Sequence, residues 1–366
     1  MKIVIISQNC YPRLSPRAHR TTELAIELSR QGYNVTVYAL LGNYDYSKIS
    51  ETTGVKFKSL GISKFGLPDN LGKRKNNYLN RIVRKMFRMT LEFPNIELFW
   101  MTKRVLKDEG DIDYLITVAH PHTIHWGASN FVKANKSKIK FWVADCGDPF
   151  MKDPFNKHPF YFSFLEKQWG RLCDYITVPI EESRQGYYDE FKGKIKVIPQ
   201  GFSFENQRLA EYKQNEVITF AYSGVVYKDK RDPSMFLEYL CSLNIDFKFI
   251  VYTNNDSLYK PFMDTLGKRI ELRSYIPREE LLYELSKMDF LINIKNESGV
   301  QQPSKLIDYA LTKRPIIEIC SKFNQKEIFE QFLARNFQNA LSIDDINKYN
   351  IKNVANQFIE LFNLKR

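Results

Sequence analysis

Short apolar runs and stretches of helical periodicity take turns along this chain. Lys2–Ser7 is apolar, Ala18–Arg30 carries Leu24, Ala25 and Leu28 along one stripe, Gly32 closes that stretch, and Asn34–Leu40 is apolar again. A period that changes from strand to helix and back predicts a strand–helix–strand unit, and the right-handed crossover makes its strands parallel. The alternation continues, with strands expected at Tyr114–Val118, Lys140–Ala144, Tyr175–Val178 and Lys196–Ile198. Pro199-Gln-Gly201 reads as a sharp turn, and the polar, charged stretch Ser203–Glu216 behind it reads as a linker. A second set of strands is expected at Ile218–Tyr222, Phe247–Val251, Arg269–Leu272, Phe290–Ile294 and Pro315–Glu318. Ile351–Leu364 then gathers Val354, Ala355, Phe358, Leu361 and Phe362 on one side of a helix. The pattern predicts an α/β protein of two Rossmann-like domains facing a cleft, residues 1–202 and 203–350, followed by the helix in 351–366.

Length and composition agree with that picture. The chain has 366 residues, enough for two ordinary domains, and 43% hydrophobic with 26% charged residues is a globular balance. No apolar run reaches the ~20 residues that span a bilayer. The first residues read as a strand rather than a signal peptide, because polar residues and Pro12 follow at once. A cytoplasmic location is therefore expected. Cys10, Cys146, Cys173, Cys241 and Cys320 are scattered and show no Cys-x-x-Cys spacing, which argues against a disulfide frame or a zinc knuckle. Lys and Arg total 54 against 42 Asp and Glu, a net charge of +12. Such a balance suits phosphorylated substrates, anionic lipid or nucleic acid. No nucleic-acid motif is present, so nucleic acid is not an expected partner.

The stretch from Glu297 to Ile317 carries the most chemistry. Pro303 and Ser304 suit the first turn of a short helix, which should end near Thr312–Arg314. A helix start at the C-terminal edge of a parallel sheet is an anion site, and Asp308 one turn further on can accept hydrogen bonds from a ribose diol. An ordinary capped helix with a solvated Asp fits the same residues. Earlier, Gly224 follows a strand and lets a ligand approach the backbone, with Lys228, Lys230 and Arg231 behind it. Lys230 and Arg231 are candidates to neutralise a diphosphate, Arg231 foremost.

The other half holds His120, His122 and His125 after an expected strand. Three imidazoles invite a zinc reading, but no Cys or carboxylate is interleaved, so no metal is expected. The segment follows a strand at the edge where the cleft should lie, so His120 is the first candidate site residue and His122 the second, with a helix-start or core histidine as the plain alternative. Asp145 and Asp148 follow the next strand and are candidate polar site residues, although Gly147-Asp148-Pro149 is also a plain turn. Finally, Lys73–Lys107 holds ten Lys or Arg against two Glu, interleaved with Tyr78, Ile82, Met86, Phe87, Met89, Phe93, Phe99, Trp100 and Met101. That mixture suits an anionic membrane surface, or a solvated pair of helices with an apolar core side.

The run Pro303, Ser304, Lys305, Leu306, Tyr309, Arg314, Pro315 and Ile317 resembles the donor-site motif of GT-B glycosyltransferases of family 4. Asp308 stands where that family usually has a ribose-binding Glu, and Val300 stands where many members carry a second Glu. The opening unit Arg20–Val37 is similar as well, with Leu14-Ser-Pro-Arg17 in place of a Gly-Gly loop. The resemblance implies a retaining, metal-independent hexosyltransferase-type enzyme without a cofactor, and a last helix that crosses back to the first domain. It implies His120, Arg231 and Lys305 as catalytic groups. Gly224, Lys230, Ser304, Leu306 and Asp308 would bind the nucleotide-sugar donor, and Arg17, His122, Asp145 and Asp148 the acceptor. Joined to the basic segment, it suggests a lipid-linked saccharide acceptor, surface polysaccharide synthesis and a peripheral site at the inner face of the cell membrane. A nucleotide-sugar epimerase and a non-catalytic sugar- or lipid-binding accessory protein are the alternatives.

Overall fold

The computed structural model describes residues 1–71, 81–153, 156–205, 207–228, 231–295, 304–343 and 345–365, with the backbone alone for 81–84 and 304. Its contacts divide the chain into two units, Met1–Ser203 with Asn347–Arg366, and Phe204–Ile346.

Unit 1 contains β1 (Lys2–Ile6), α1 (Pro16–Arg30), β2 (Asn34–Ala39), α2 (Ser47–Thr53), β3 (Lys56–Ser59), α3 (Arg81–Leu91) and α4 (Glu97–Glu109). It goes on through β4 (Ile112–Ala119), α5 (Thr123–Ala134), β5 (Ile139–Cys146), α6 (Phe162–Leu172), β6 (Tyr175–Val178) and β7 (Ile195–Val197). The strands form one parallel sheet in the order β3-β2-β1-β4-β5-β6-β7. Side chains alternate between its faces, as strand geometry requires. Val4 and Ile6 join the core under α4, α5 and α6, while Ile3 and Ile5 join the core under α1. Strand β3 was not expected from the sequence. It is the edge strand, and Lys56, Lys58 and Ser59 are exposed, so no apolar run announces it.

Unit 2 contains β8 (Thr219–Ser223), α7 (Ser234–Ser242), β9 (Lys248–Tyr252), α8 (Met263–Leu266), β10 (Ile270–Arg273), α9 (Arg278–Leu285), β11 (Phe290–Ile294), α10 (Ser304–Leu311), β12 (Ile316–Ile319) and α11 (Lys326–Leu333). Its parallel sheet runs β10-β9-β8-β11-β12. One face is an aromatic layer in which Phe220 stacks on Phe290 at 4.7 Å and Phe329 of α11 meets both edge-on. The opposite face packs Ala221 and Leu291 against Leu285, Leu306 and Tyr309 of α9 and α10.

The last helix, α12 (Ile351–Asn363), belongs to unit 1, as the family resemblance implied. The Asn350 side chain caps it by accepting from the Lys352 N–H at 3.0 Å. Its apolar side, including Val354, Phe358 and Phe362, completes the core beneath β1, β2, β4 and β5. Phe362 stacks on Tyr114 at 5.7 Å, and the buried Tyr114 hydroxyl donates to Phe358 O at 3.0 Å.

Candidate functional site

Each sheet has one place where the strand order reverses, and such switch points at the C-terminal strand edge are where open α/β sheets bind ligands. In unit 2 the reversal lies between β8 and β11. Gly224 follows β8 directly, with φ +142°, and its N–H donates to Tyr252 O at 2.9 Å. A Cβ at this position would sit 3.2 Å from the Tyr222 hydroxyl oxygen and 3.8 Å from Lys305 Nζ. Glycine therefore gives a backbone conformation other residues rarely adopt and keeps the space before Lys305 open.

Lys305 stands in the first turn of α10, where backbone N–H groups have no partner within the helix itself. Its buried Nζ has no hydrogen-bond partner and lies 4.1 Å from the centre of the Tyr222 ring. Burial pushes the Lys305 amine well below the ordinary lysine range, and the like charge of Arg231 adds to that. Burial raises the Tyr222 phenol to about 12, while Arg231 pulls it back through its charge and a hydrogen bond. Tyr309 fixes this corner, because its hydroxyl accepts the Ser223 N–H at 2.7 Å and so ties α10 to the end of β8. Gly224, Arg231 and Lys305, picked from separate stretches of sequence, thus meet at one helix N-terminus. Two neighbouring cations at the positive end of a helix suit a ligand with two adjacent negative groups.

The other donor-side candidates are placed differently. Lys230, Pro303 and the Ser304 side chain lie outside the described residues, as do Glu297 and Val300. Leu306 is a core side chain, so only its backbone N–H is left to meet a ligand. Asp308 is paired with Arg278 of α9, at 2.6 Å to Nη2 and 2.8 Å to Nε. Nothing in the sequence pattern marked Arg278 as its partner. Arg314, which matches the motif, lies over the Tyr212 ring at 3.8 Å.

In unit 1 the reversal lies between β1 and β4. His120, Asp148 and Arg17 come from the segments that follow β4, β5 and β1, at this same edge. His120 and Asp148 are exposed. The Arg17 guanidinium lies where a Cβ on Gly147 would collide with it, at 2.8 Å, and 3.7 Å from Asp145.

Asp145 and His122 differ from the expectation that they contact an acceptor. Asp145 is buried and its oxygens are taken up inside the fold. Arg20 pairs with both of them at 2.8 and 3.1 Å, and the Thr177 hydroxyl donates to Oδ1 at 2.7 Å. Burial alone would raise this carboxyl, but Arg20 outweighs it and holds the group below its ordinary value. Arg20 also donates to Ile198 O and Pro199 O and lies 5.0 Å from the Phe358 ring centre, so it ties α1, β5, the end of β7 and α12 together. The sequence offered only its helical position as a clue.

His122 is buried against Phe150 and Trp169, with its Nε2 3.1 Å from Asp148 O. The reason is helical spacing: His122 precedes α5 and His125 lies in its first turn, so both rings turn into the core.

No family model matches the chain, and no curated protein matches it in sequence. Solved structures match it over its whole length. Anabaena HepE in complex with UDP and glucose is 9% identical and superposes with a TM-score of 0.63 over 100% of both chains. The lipopolysaccharide outer core galactosyltransferase WaaB is 11% identical, with a TM-score of 0.62 and the same coverage. The fold is that of GT-B glycosyltransferases. A UDP-GlcNAc 2-epimerase from Neisseria meningitidis bound to UDP-GlcNAc shares it, at 14% identity and a TM-score of 0.59 over 100% of both chains.

Proposed function

We propose that this chain is a retaining glycosyltransferase that moves a hexose from a nucleotide-sugar donor to a lipid-linked saccharide in surface polysaccharide assembly. The observation that carries the reading is the meeting of Gly224, Arg231 and Lys305 at the N-terminus of α10. A leaving diphosphate gains charge as the sugar departs. Cations and free N–H groups held in place before the reaction stabilise that charge without reorganising. Lys305 and Arg231 supply two positive charges there, so the transfer runs without magnesium or manganese bridging the phosphates. Asp308 lies three residues beyond Lys305, on the same helix face, and receives the ribose hydroxyls. Unit 1 receives the acceptor, with His120, Asp148 and Arg17 at its sheet edge. HepE in complex with UDP and glucose shares the fold, which supports a uridine nucleotide.

Exposed side chains of unit 1 favour a lipid-linked acceptor. Among the described residues no helix is long and apolar enough to cross a membrane. Instead α3 exposes Met86, Met89 and Leu91 next to Lys85 and Arg88. The Tyr161 hydroxyl donates to Thr90 O, which places exposed Phe160 and Phe164 next to the end of α3. Apolar side chains among cations suit insertion into an anionic headgroup layer.

The test is transfer of labelled sugar from a panel of nucleotide sugars into a bacterial lipid extract, with no added divalent metal. Label should move into the organic phase. A second reading, epimerisation, draws on the fold shared with the Neisseria meningitidis epimerase. It predicts conversion of the free nucleotide sugar with no acceptor present, and label recovered solely as nucleotide sugar, original or epimerised, overturns the transferase reading.

A further inference from the structure

The buried histidines of unit 1 have company that the spacing along the chain did not reveal. Cys146, the last residue of β5, lies beside them. Each of His122, His125 and Cys146 offers one donor atom within 4.8 Å of the other two, and all three residues are buried. The Cys146 sulfur is 3.3 Å from His125 Nε2.

The hydrogen bonds around the trio decide which atoms are left over. His122 Nε2 faces the carbonyl oxygen of Asp148 at 3.1 Å. A carbonyl only accepts, so Nε2 carries the proton and Nδ1 carries a lone pair. That Nδ1 is buried and has no hydrogen-bond partner. An unused lone pair in a dry interior is costly unless something takes it. His125 has the complementary arrangement. Its Nδ1 is 2.7 Å from the Thr117 hydroxyl, which also accepts from Trp142 Nε1 at 2.8 Å, and its Nε2 points to the sulfur. Ligating histidines are usually held this way, with one nitrogen fixed by a backbone carbonyl or another polar group and the other on the metal.

From this geometry we infer that unit 1 binds a thiophilic transition-metal ion, zinc or cuprous copper, through His122 Nδ1, His125 Nε2 and Cys146 Sγ. Two imidazoles and one thiolate are a donor set that both ions accept. Both rings are neutral in this interior, since burial drives His122 well below the ordinary range and His125 to about 3. Cys146 is a thiol without metal, because burial raises it far above its ordinary value. Binding therefore exchanges the thiol proton for the metal: one S–H bond breaks, one S–metal bond forms, and one proton leaves to solvent. The Tyr187 hydroxyl adjoins the sulfur and is placed to hydrogen-bond the resulting thiolate. The ion would tie the start of α5 to the end of β5, and zinc would take a fourth donor beyond these three side chains.

The experiment uses the full chain, purified without chelator under reducing conditions. Elemental analysis should find one zinc or one copper per chain, and the element found separates the two sources. Metal-free protein titrated with cobalt(II) should develop a near-ultraviolet thiolate-to-cobalt band that saturates at one equivalent and is displaced by zinc. The band should vanish in Cys146→Ala and weaken in His122→Gln, with Cys10, Cys173, Cys241 and Cys320 unchanged. Because those variants alter the core, wild-type protein is also refolded from denaturant with and without zinc, and zinc should raise its midpoint. Wild-type protein with no bound metal, no cobalt band and no shift on refolding with zinc overturns the proposal.

Discussion

A buried ammonium facing a guanidinium is unfavourable until an anion arrives, and Lys305 is in that position. Its amine is held below the ordinary lysine range in the free protein, and a diphosphate beside it restores the charged form. The complex then holds more protons than its parts, so binding takes up a proton and tightens as pH falls from the ordinary lysine range toward the lowered value. Calorimetric titration with UDP in buffers of different ionisation heat should show buffer-dependent enthalpy in the wild type and none in Lys305→Met. Equal heats in all buffers would remove Lys305 from the diphosphate site. The same two cations should matter more as charge develops on the leaving group. Arg231→Ala or Lys305→Ala should lower kcat by about 10²–10³ with a smaller change in KM, as loss of one preorganised donor does. A raised KM at constant kcat would make them simple binding groups. Glu166 is a buried carboxyl of α6. Burial pushes its carboxyl up to about 7, one oxygen accepts from the Met151 N–H at 3.3 Å, and the other has no partner. A raised folded-state value means the folded form holds the proton longer, so its stabilising effect is complete below the unfolded value near 4.5 and is lost as pH rises toward 7. The loss approaches about 3 kcal/mol at most. Urea unfolding across that window should show the slope in the wild type and lose it in Glu166→Gln.

Elements carry the membrane prediction, because α3 is where the cations and exposed methionines coincide. Each basic residue near an anionic surface adds about 1 kcal/mol, and salt screens it within about 3 Å at 1 M. Liposome co-sedimentation should show binding to anionic and not neutral vesicles, lost at high salt and in a variant with Arg81, Arg84, Lys85 and Arg88 changed to Glu. Protein that stays in the supernatant with anionic vesicles at low salt would point to a soluble acceptor. Elements were also the most legible level of the sequence. Strands such as Phe290–Ile294, buried on both faces, read as near-continuous apolar runs, here broken by Asn293 alone. The edge strand β3 did not, since exposed lysines leave no run to see. The turn from Ser223 into Gly224 was visible because glycine at a strand end has a backbone reason to be there. Partners across elements were not visible. Arg20 with Asp145, Arg278 with Asp308 and Cys146 with His125 meet only once the sheet order is set, and period and local spacing do not encode that order.

At the scale of the whole molecule, the alternation of strands and helices was enough to expect two α/β units, while the chemistry of each depends on contacts far apart in sequence. One feature of that architecture bears on how the protein is made. Unit 1 is finished by α12, which leaves the ribosome after all of unit 2. Domains usually fold in the order of their synthesis. Here the first-made sheet must wait, with Tyr114, Phe141 and Val143 lacking the Phe358 and Phe362 side chains that cover them. Removing a buried Phe commonly costs about 3–5 kcal/mol, so Phe358→Ala or a stop before Ile351 should leave unit 1 open to protease while unit 2 resists it. Limited proteolysis of arrested nascent chains would show the same order: unit 2 protected first, and the amino-terminal half only once the final helix has emerged. A cell making this protein therefore carries an unfinished sheet through most of translation, which makes its first half a natural client for chaperones that hold exposed aromatic surface.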